Sequence, residues 1–383
     1  FGAEVSQALD VAKLVLLLQE RGLGGRGEDL LQRLDRWDAD RGRRAGASRK
    51  LAYIWAKAAE RLVSGAEPGP RNPALFLAFA RPDFVAKRRD KSGEQWLSAG
   101  GRGFQLDPTS SLARAEWIVI GDAQGQAKGA RITAAAELSA QDVDKHLKNL
   151  IEKRSVIIWN NEESRVEPRL ERRLGAITMA SGPDADPDPR ALVDKLVEKA
   201  LERLENLVPA DLLSRGKFAR IEALGLKSLR DSSELWLAPL LEGRRDLDLP
   251  RGKLIDAILN QLDWDARQRL DREAPREFTS PAGTCHAVDY AGDDAPSVEV
   301  RVQALFGLDR HPKIGSTPLL IKLTSPAGRP IQATRDLPGF WRGSWADVKK
   351  DMKGRYPKHR WPDEPWVEKP SLKTKNAFNR SEN

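Results

Sequence analysis

The sequence holds a single cysteine, Cys285, in 383 residues. That excludes an internal disulfide and a multi-cysteine zinc site, and it fits a reducing, cytoplasmic setting. Histidine is nearly as scarce: His146, His286, His311 and His359 are the whole supply for metal or imidazole chemistry. The motifs of several common catalytic sites are missing. There is no GxxxxGK[ST] to cradle a phosphate, no HExxH, no CxxC and no GxSxG. No apolar run reaches the roughly 18 residues that a membrane span needs, so no membrane partner is expected. Val11 to Leu18 is too short and contains Lys13. The chain starts at Phe1 without a charged-then-apolar leader. On this reading it carries no signal peptide and continues a longer polypeptide, or is a fragment of one.

What is present suits a globular chain. At 40% hydrophobic and 31% charged residues it can bury real cores. Its length suggests two to four domains, at roughly 150 residues each. A net charge of +8 favours polyanionic partners.

Some residue groups invite chemistry and then fail its geometry. Gly22-Leu-Gly24-Gly-Arg-Gly27 matches GxGxxG, but a dinucleotide turn sits between a strand and a helix, and this one lies between two helical patterns. Cys285, His286 and Asp289 are close in sequence, yet neighbours on a strand point to opposite faces; a buried Cys285 beside an exposed His286 is expected. Asp35, Asp38 and Asp40, like Asp184, Asp186 and Asp188, lie at helix ends or in a linker, where capping or solvated carboxylates are the norm.

The chain reads as α+β and multidomain. Residues 1–65 predict helices, with Val11, Leu14, Val15 and Leu18 inward on the first and Leu30, Leu31 and Leu34 on the second. Leu51, Ile54, Trp55, Ala58, Ala59 and Leu62 form one face of the third; these helices look packed on something not wholly contained in the chain. A turn-rich linker, Ser64 to Pro73, precedes residues 74–181. There, strand signals with hairpin turns at Gly100-Gly101 and Gly125 to Gly129, and a capping box at Ser139 opening an interposed helix, predict an OB-like β-barrel or another small barrel. Residues 188–275 predict a helical connector opened by Asp188-Pro189. Residues 278–368 predict a mixed α/β domain, and 369–383 a flexible tail.

Basic clusters carry the strongest functional signal. Arg41, Arg43, Arg44, Arg49 and Lys50 form one; Arg165, Arg169, Arg172 and Arg173, with Glu167 and Glu171 interleaved, read as a solvated face. Lys87, Arg88, Arg89 and Lys91 stand at the entry to the barrel, where single strands bind OB folds. From Arg342 to Arg360 seven Lys/Arg face two acids, Asp347 and Asp351, and four of the eleven Trp fall between Trp341 and Trp366. Ser344 and Asp347 predict a cap for a helix closed by Gly354, with Trp345, Val348 and Met352 inward and Lys349, Lys350 and Lys353 outward. Tyr356-Pro357, Trp361-Pro362 and Glu364-Pro365 predict an extended track carrying Arg355, Lys358, His359 and Arg360. Basic and aromatic surface of this kind suits a phosphate backbone and unpaired bases.

The same stretch carries a family resemblance. Arg335-Asp336-Leu337, Gly339-Phe340-Trp341-Arg342-Gly343-Ser344, Lys350 to His359 and Trp361-Pro362 resemble the C-terminal signature of the bacterial HrpB family, ATP-dependent RNA helicases of the DEAH/RHA type in superfamily 2. Ser280 to Gly283, Ala304 to Leu308, Asp263-Trp264, Ala115-Glu116-Trp117 and Arg172 to Ala176 are similar to the same family upstream. The resemblance implies the part that follows the motor: a helicase-associated helical segment, an OB-like barrel and an HrpB-type C-terminal domain. The family's RecA-like motor, with its Walker A lysine, DEAH box, ATP and Mg, has no counterpart here. The chain is therefore expected to be inactive alone, with no cofactor or metal of its own. Expected partners are single-stranded RNA or other nucleic acid and the motor domains in cis. The rival expectation is a protein-docking module, using Trp361, Trp366 and the proline-bounded track, that couples the helicase to a partner without touching RNA.

Overall fold

Five strands close on themselves between Val85 and Leu138 in the computed structural model. The structure describes residues 1–383 except Phe1, Arg21, Ala66, Pro68, Arg71, 126–128, Asp293, Asp294 and Asn383, and excepting the side chains of Ser381 and Glu382. Two compact units emerge: residues 1–157 with 168–187, and residues 158–167 with 188–383.

The first unit opens with three helices, α1 (Ala8–Gln19), α2 (Leu30–Ala39) and α3 (Arg43–Glu60), then the short α4 (Ala74–Ala80). Asp29 caps α2 by accepting from Leu31 N at 3.0 Å and Gln32 N at 3.1 Å. The inward faces differ from the sequence expectation. On α1 the buried residues are Ala8, Ala12, Leu14, Leu16 and Leu17, and Val15 is exposed. On α3 they are the small Ala45, Ser48, Ala52 and Ala56, which let α1 approach closely. The stripe expected to be inward is outward: Ile54 is 53% exposed and Leu62 86%.

The barrel follows: β1 (Val85–Arg88), β2 (Gln95–Ser98), β3 (Gly103–Gln105), β4 (Trp117–Gln124) and β5 (Ala130–Leu138), in the cyclic order β1-β2-β3-β5-β4. The β3–β5 pair is parallel and the β1–β4 pair closes the ring antiparallel. Strand alternation divides the side chains between two cores. Ala86, Trp96, Phe104, Ile118, Ile120 and Ile132 fill the interior. Val85, Trp117, Val119, Ala134, Ala136 and Leu138 face outward onto α1, α2 and α4. Gly121 permits that contact, because a Cβ there would lie 2.5 Å from Leu18 Cδ2. The tip of the β4–β5 hairpin expected at Gly125 to Gly129 falls partly outside the described residues, as does part of the Ser64 to Pro73 linker.

Two details of the barrel differ from the sequence reading. β1 lies within the basic cluster rather than beyond it. The helix opened by Ser139, α5 (Ala140–His146), follows the closed barrel; a 3₁₀ turn at Ser111–Arg114 is interposed instead. The capping box itself is present, Ser139 Oγ accepting from Asp142 N at 3.0 Å. The strands after α5, β6 (Ile151–Asn160), β7 (Arg165–Leu174) and β8 (Ile177–Pro183), form a separate three-stranded sheet.

The second unit begins with helices: α6 (Pro189–Glu202), α7 (Leu204–Leu207), α8 (Ala210–Phe218), α9 (Leu226–Asp231), α10 (Ser233–Trp236), α11 (Ala238–Leu241), α12 (Arg251–Leu259) and α13 (Trp264–Glu273). Asp188 and Pro189 start α6, and Asp263 caps α13 through Ala266 N at 2.6 Å. A five-stranded sheet follows, ordered β15-β14-β11-β10-β9. Its strands are β9 (Glu277–Thr279), β10 (Cys285–Asp289), β11 (Ser297–Arg301), β14 (Leu320–Thr324) and β15 (Pro330–Thr334); β12 (Lys313–Ile314) and β13 (Thr317–Pro318) pair separately. α14 (Leu337–Arg342) and α15 (Trp345–Arg355) complete the domain. The tail expected to be flexible forms a helix, α16 (Lys375–Glu382). Among the described residues no helix is long and apolar enough to cross a membrane.

Candidate nucleic-acid interfaces

The basic cluster on the barrel is split by strand geometry. Lys87 and Arg88 are consecutive on β1, so their side chains leave opposite faces. Lys87 Nζ lies 5.2 Å from the centroid of the Trp117 ring and 3.5 Å from Glu116 Oε1. Arg88 Nη1 donates to Ala113 O at 3.0 Å. Arg89 and Lys91 are exposed on the β1–β2 turn, and no ion pair joins either to an acid among the described residues.

That turn is built rather than loose. Asp90 Oδ1 accepts from Gly93 N at 3.0 Å and Gln95 N at 3.2 Å, while Oδ2 accepts from Ser92 Oγ at 2.7 Å. The Ser92 hydroxyl, and then these backbone N–H groups, hold the Asp90 carboxyl below its usual range. Gly93 has φ +76°, and a Cβ there would stand 2.0 Å from Ala113 O. Trp96, inside the barrel, donates from Nε1 to Gly93 O at 2.7 Å. Two cations are thus displayed from a fixed backbone.

In the C-terminal domain the aromatics and charges separate. Trp341 and Trp345 meet edge-on at 5.3 Å, Phe306 lies 5.8 Å from Trp345, and Phe340 lies 5.1 Å from Trp341. The indole N–H groups are used internally: Trp341 to Leu308 O at 3.0 Å, Trp345 to Pro362 O at 2.9 Å, Trp361 to Tyr356 O at 2.9 Å. Trp345 and Met352 are buried and Val348 half-buried, the face that helical spacing predicts. Ser344 makes no side-chain cap, however, and α15 runs through Gly354 to Arg355. It stops there because Pro357 disfavours helical backbone at Tyr356.

The cations that follow are unequal. Lys349 pairs with Asp363, and Arg355 Nε lies 3.1 Å from Asp351 Oδ1. Arg360 pairs with Glu368, donates from Nη1 to Lys369 O at 2.9 Å, and lies 3.5 Å from the centroid of the Phe378 ring. Lys350, Lys353 and Lys358 are exposed and form no ion pair among the described residues. The expected extended track is a turn instead, with His359 N donating to Tyr356 O at 3.1 Å. Phe378 and Lys375, which flank this turn, were hidden to sequence reasoning in a polar tail.

Other sequence candidates resolve into structure. The Gly22 to Gly27 loop joins α1 to α2 and is held by Arg33, whose guanidinium donates to Leu23 O at 3.2 Å and Leu17 O at 3.1 Å. Cys285 is exposed and His286 half-buried, the reverse of the expectation. His286 Nε2 is tied to Thr284 Oγ1 at 2.7 Å on the more covered face of β10. Asp188 and Asp40 accept backbone N–H groups at 3.0 Å and 2.7 Å. Arg165, Arg172 and Arg173 pair with Glu163, Asp144 and Glu171, as a solvated face does. Among the described residues no group of His, Cys, Asp and Glu is placed to hold a metal ion.

Together these features define a mixed α and β protein of two compact units, the first containing a closed five-stranded barrel with exposed cations on one turn, the second carrying exposed cations on α15 and the turn after it. The family described as "ATP-dependent helicase C-terminal" matches residues 236–365. The chain is 33% identical over 330 residues to the ATP-dependent RNA helicase HrpB of Escherichia coli strain K12, a match covering 82% of this chain and 41% of that protein. It is also similar to a crystal structure of E. coli HrpB, described as a DExH-box NTPase, at 29% identity and a TM-score of 0.45, covering 95% of this chain and 46% of the other. A second, described as an E. coli DEAH/RHA helicase, gives 29% identity and a TM-score of 0.41, with 93% and 45% covered. The chain belongs to the HrpB helicase family and carries the C-terminal part of it. It spans 41% of the length of the curated relative that it matches.

Proposed function

We propose that this chain is the accessory, post-motor part of an ATP-dependent RNA helicase, holding single-stranded RNA while a RecA-like motor, joined in cis, moves it. ATP and Mg belong to that motor, and the setting is the cytoplasm. The barrel acts as an OB-type module. The observation that carries the RNA reading is the set of exposed cations without an ion pair among the described residues: Arg89 and Lys91 on the barrel turn, Lys350, Lys353 and Lys358 in the C-terminal domain. Each such cation placed on a phosphate releases a counterion, so binding should weaken steeply with salt. Fluorescence anisotropy of a labelled single-stranded RNA, titrated at several salt concentrations, tests this; binding that is flat in salt contradicts it.

The α3 stripe supports the motor contact. Leu51, Ile54 and Trp55 are exposed at helical spacing on α3, and Leu62 is exposed in the turn just beyond it, an apolar face that a soluble surface seldom leaves open. The same stripe favours the second reading, a docking module for another protein without RNA contact. Loss of partner or motor stimulation on Ile54→Asp, with no RNA bound by the unaltered chain, would support that reading over the first.

A further inference from the structure

We infer that the C-terminal domain holds a pocket for one nucleotide of a single-stranded RNA, between the turn at residues 357–362 and α16. The inference rests on the RNA-binding reading above and gives it a specific seat. A cavity of about 410 Å³ opens there, lined among others by Lys353, His359, Arg360, Trp361, Lys375 and Phe378. That volume lies in the range of small-ligand sites.

The lining separates into parts that suit a base and parts that suit a phosphate. Arg360 is no phosphate clamp, because Glu368 and the Lys369 carbonyl already take its donors. Its side chain is only 9% exposed and its guanidinium lies 3.5 Å from the Phe378 ring centroid, so it backs one face of that ring. Trp361 is fixed in orientation by its N–H bond to Tyr356 O. Aromatic rings held in place like these are the surfaces on which unpaired bases stack. Lys353 and Lys375 are the cations at the rim, both exposed and without an ion pair among the described residues, although Lys353 lies in the field of Asp363. They serve a phosphate as mobile point charges. His359 is half-buried, and burial and then Arg301 push it below its ordinary value, so the neutral ring offers one donor and one acceptor to a base edge. An acidic peptide would use the two lysines and leave the ring faces idle; a nucleotide uses both.

α16 is anchored where a wall is needed. Lys375 N donates to Lys358 O at 2.9 Å, tying the start of the helix to the turn.

The test uses the whole 383-residue chain with fluorescein-labelled oligouridylate, read by anisotropy. Phe378→Ala is expected to weaken binding roughly 5- to 100-fold, the range for loss of one stacked base, while Phe378→Tyr retains it. Lys353→Ala with Lys375→Ala is expected to lower the salt slope by about one unit or more. Uridine monophosphate should compete. Circular dichroism melts unchanged from the parent establish that the variants fold. If Arg89→Ala with Lys91→Ala weakens binding but the Phe378 and lysine variants do not, the pocket is overturned and the RNA reading stands. If the unaltered chain binds no oligonucleotide, both fall. Tighter binding after deletion of residues 371–383 would make α16 a cover rather than a wall, and would overturn the pocket. So would displacement of the oligonucleotide by an acidic phosphopeptide but not by the mononucleotide.

Discussion

Lys87 and Arg88, adjacent on β1, turn to opposite sides of the barrel wall: Lys87 lies over Trp117, and Arg88 reaches the carbonyl of Ala113. A row of basic residues in sequence is therefore two different things in space. Arg88 belongs to the barrel's own hydrogen bonding, whereas Arg89 and Lys91, exposed on the turn, form no ion pair among the described residues. Arg88→Ala should lower stability by about 1–3 kcal/mol, from loss of a charged hydrogen bond, as read by urea unfolding. Arg89→Ala with Lys91→Ala should leave stability nearly unchanged and weaken RNA binding.

The turn that displays these cations depends on Gly93. With φ +76° and no room for a Cβ beside Ala113 O, Gly93→Ala should cost about 1–3 kcal/mol or more. Thermal melts will show this. RNA binding by the folded fraction should also fall, since Arg89 and Lys91 lose their fixed backbone.

In the C-terminal domain, Trp345→Ala removes the centre of the aromatic cluster and leaves Pro362 O without its donor. A loss of about 3–5 kcal/mol is expected from denaturant unfolding. Lys350→Ala, on the exposed side of the same helix, should change stability by less than about 0.5 kcal/mol.

His311 links stability to pH. Its Nε2–H donates to Leu319 O at 2.8 Å, and its Nδ1 accepts from Leu337 N at 3.1 Å, an arrangement that only the neutral ring can make. Burial holds it below the ordinary value; Leu319 O and Asp336 oppose that shift, and Lys313 adds to it. The fold therefore binds the proton less well than the unfolded chain does. Its contribution is fully present above the unfolded value of about 6.5 and is lost as pH falls below that, levelling off beneath the folded value. His359 shifts in the same direction. The melting temperature should fall between pH 7.5 and pH 5.5, and His311→Gln should flatten that dependence.

How much of this was legible in the sequence depends on the element. The strands from Gln95 to Leu138 announce themselves through alternation and glycine turns. Val85 to Arg88 does not, because its two apolar residues are followed by two basic ones with no alternation, and the closing strand is recognised only from its partners β2 and β4. On α3 the helical period is plain but its direction is not. Large apolar residues recur on one side and alanines on the other, and the alanines face inward because α1 packs close. The buried role of Trp345 and Met352 follows from spacing alone. The place of Phe378 does not: its contact with Arg360 joins residues 18 apart through a turn that proline runs conceal.

The central claim is that the uncommitted cations bind a phosphate backbone. The most direct test is the slope of log affinity against log salt for a single-stranded RNA, measured on the chain and on Arg89→Ala with Lys91→Ala. With several phosphates neutralised, a slope of about −2 to −3 is predicted for the parent, and the double variant should lower its magnitude by about one unit or more. A slope near zero, or one that the double variant leaves unchanged, would contradict the account.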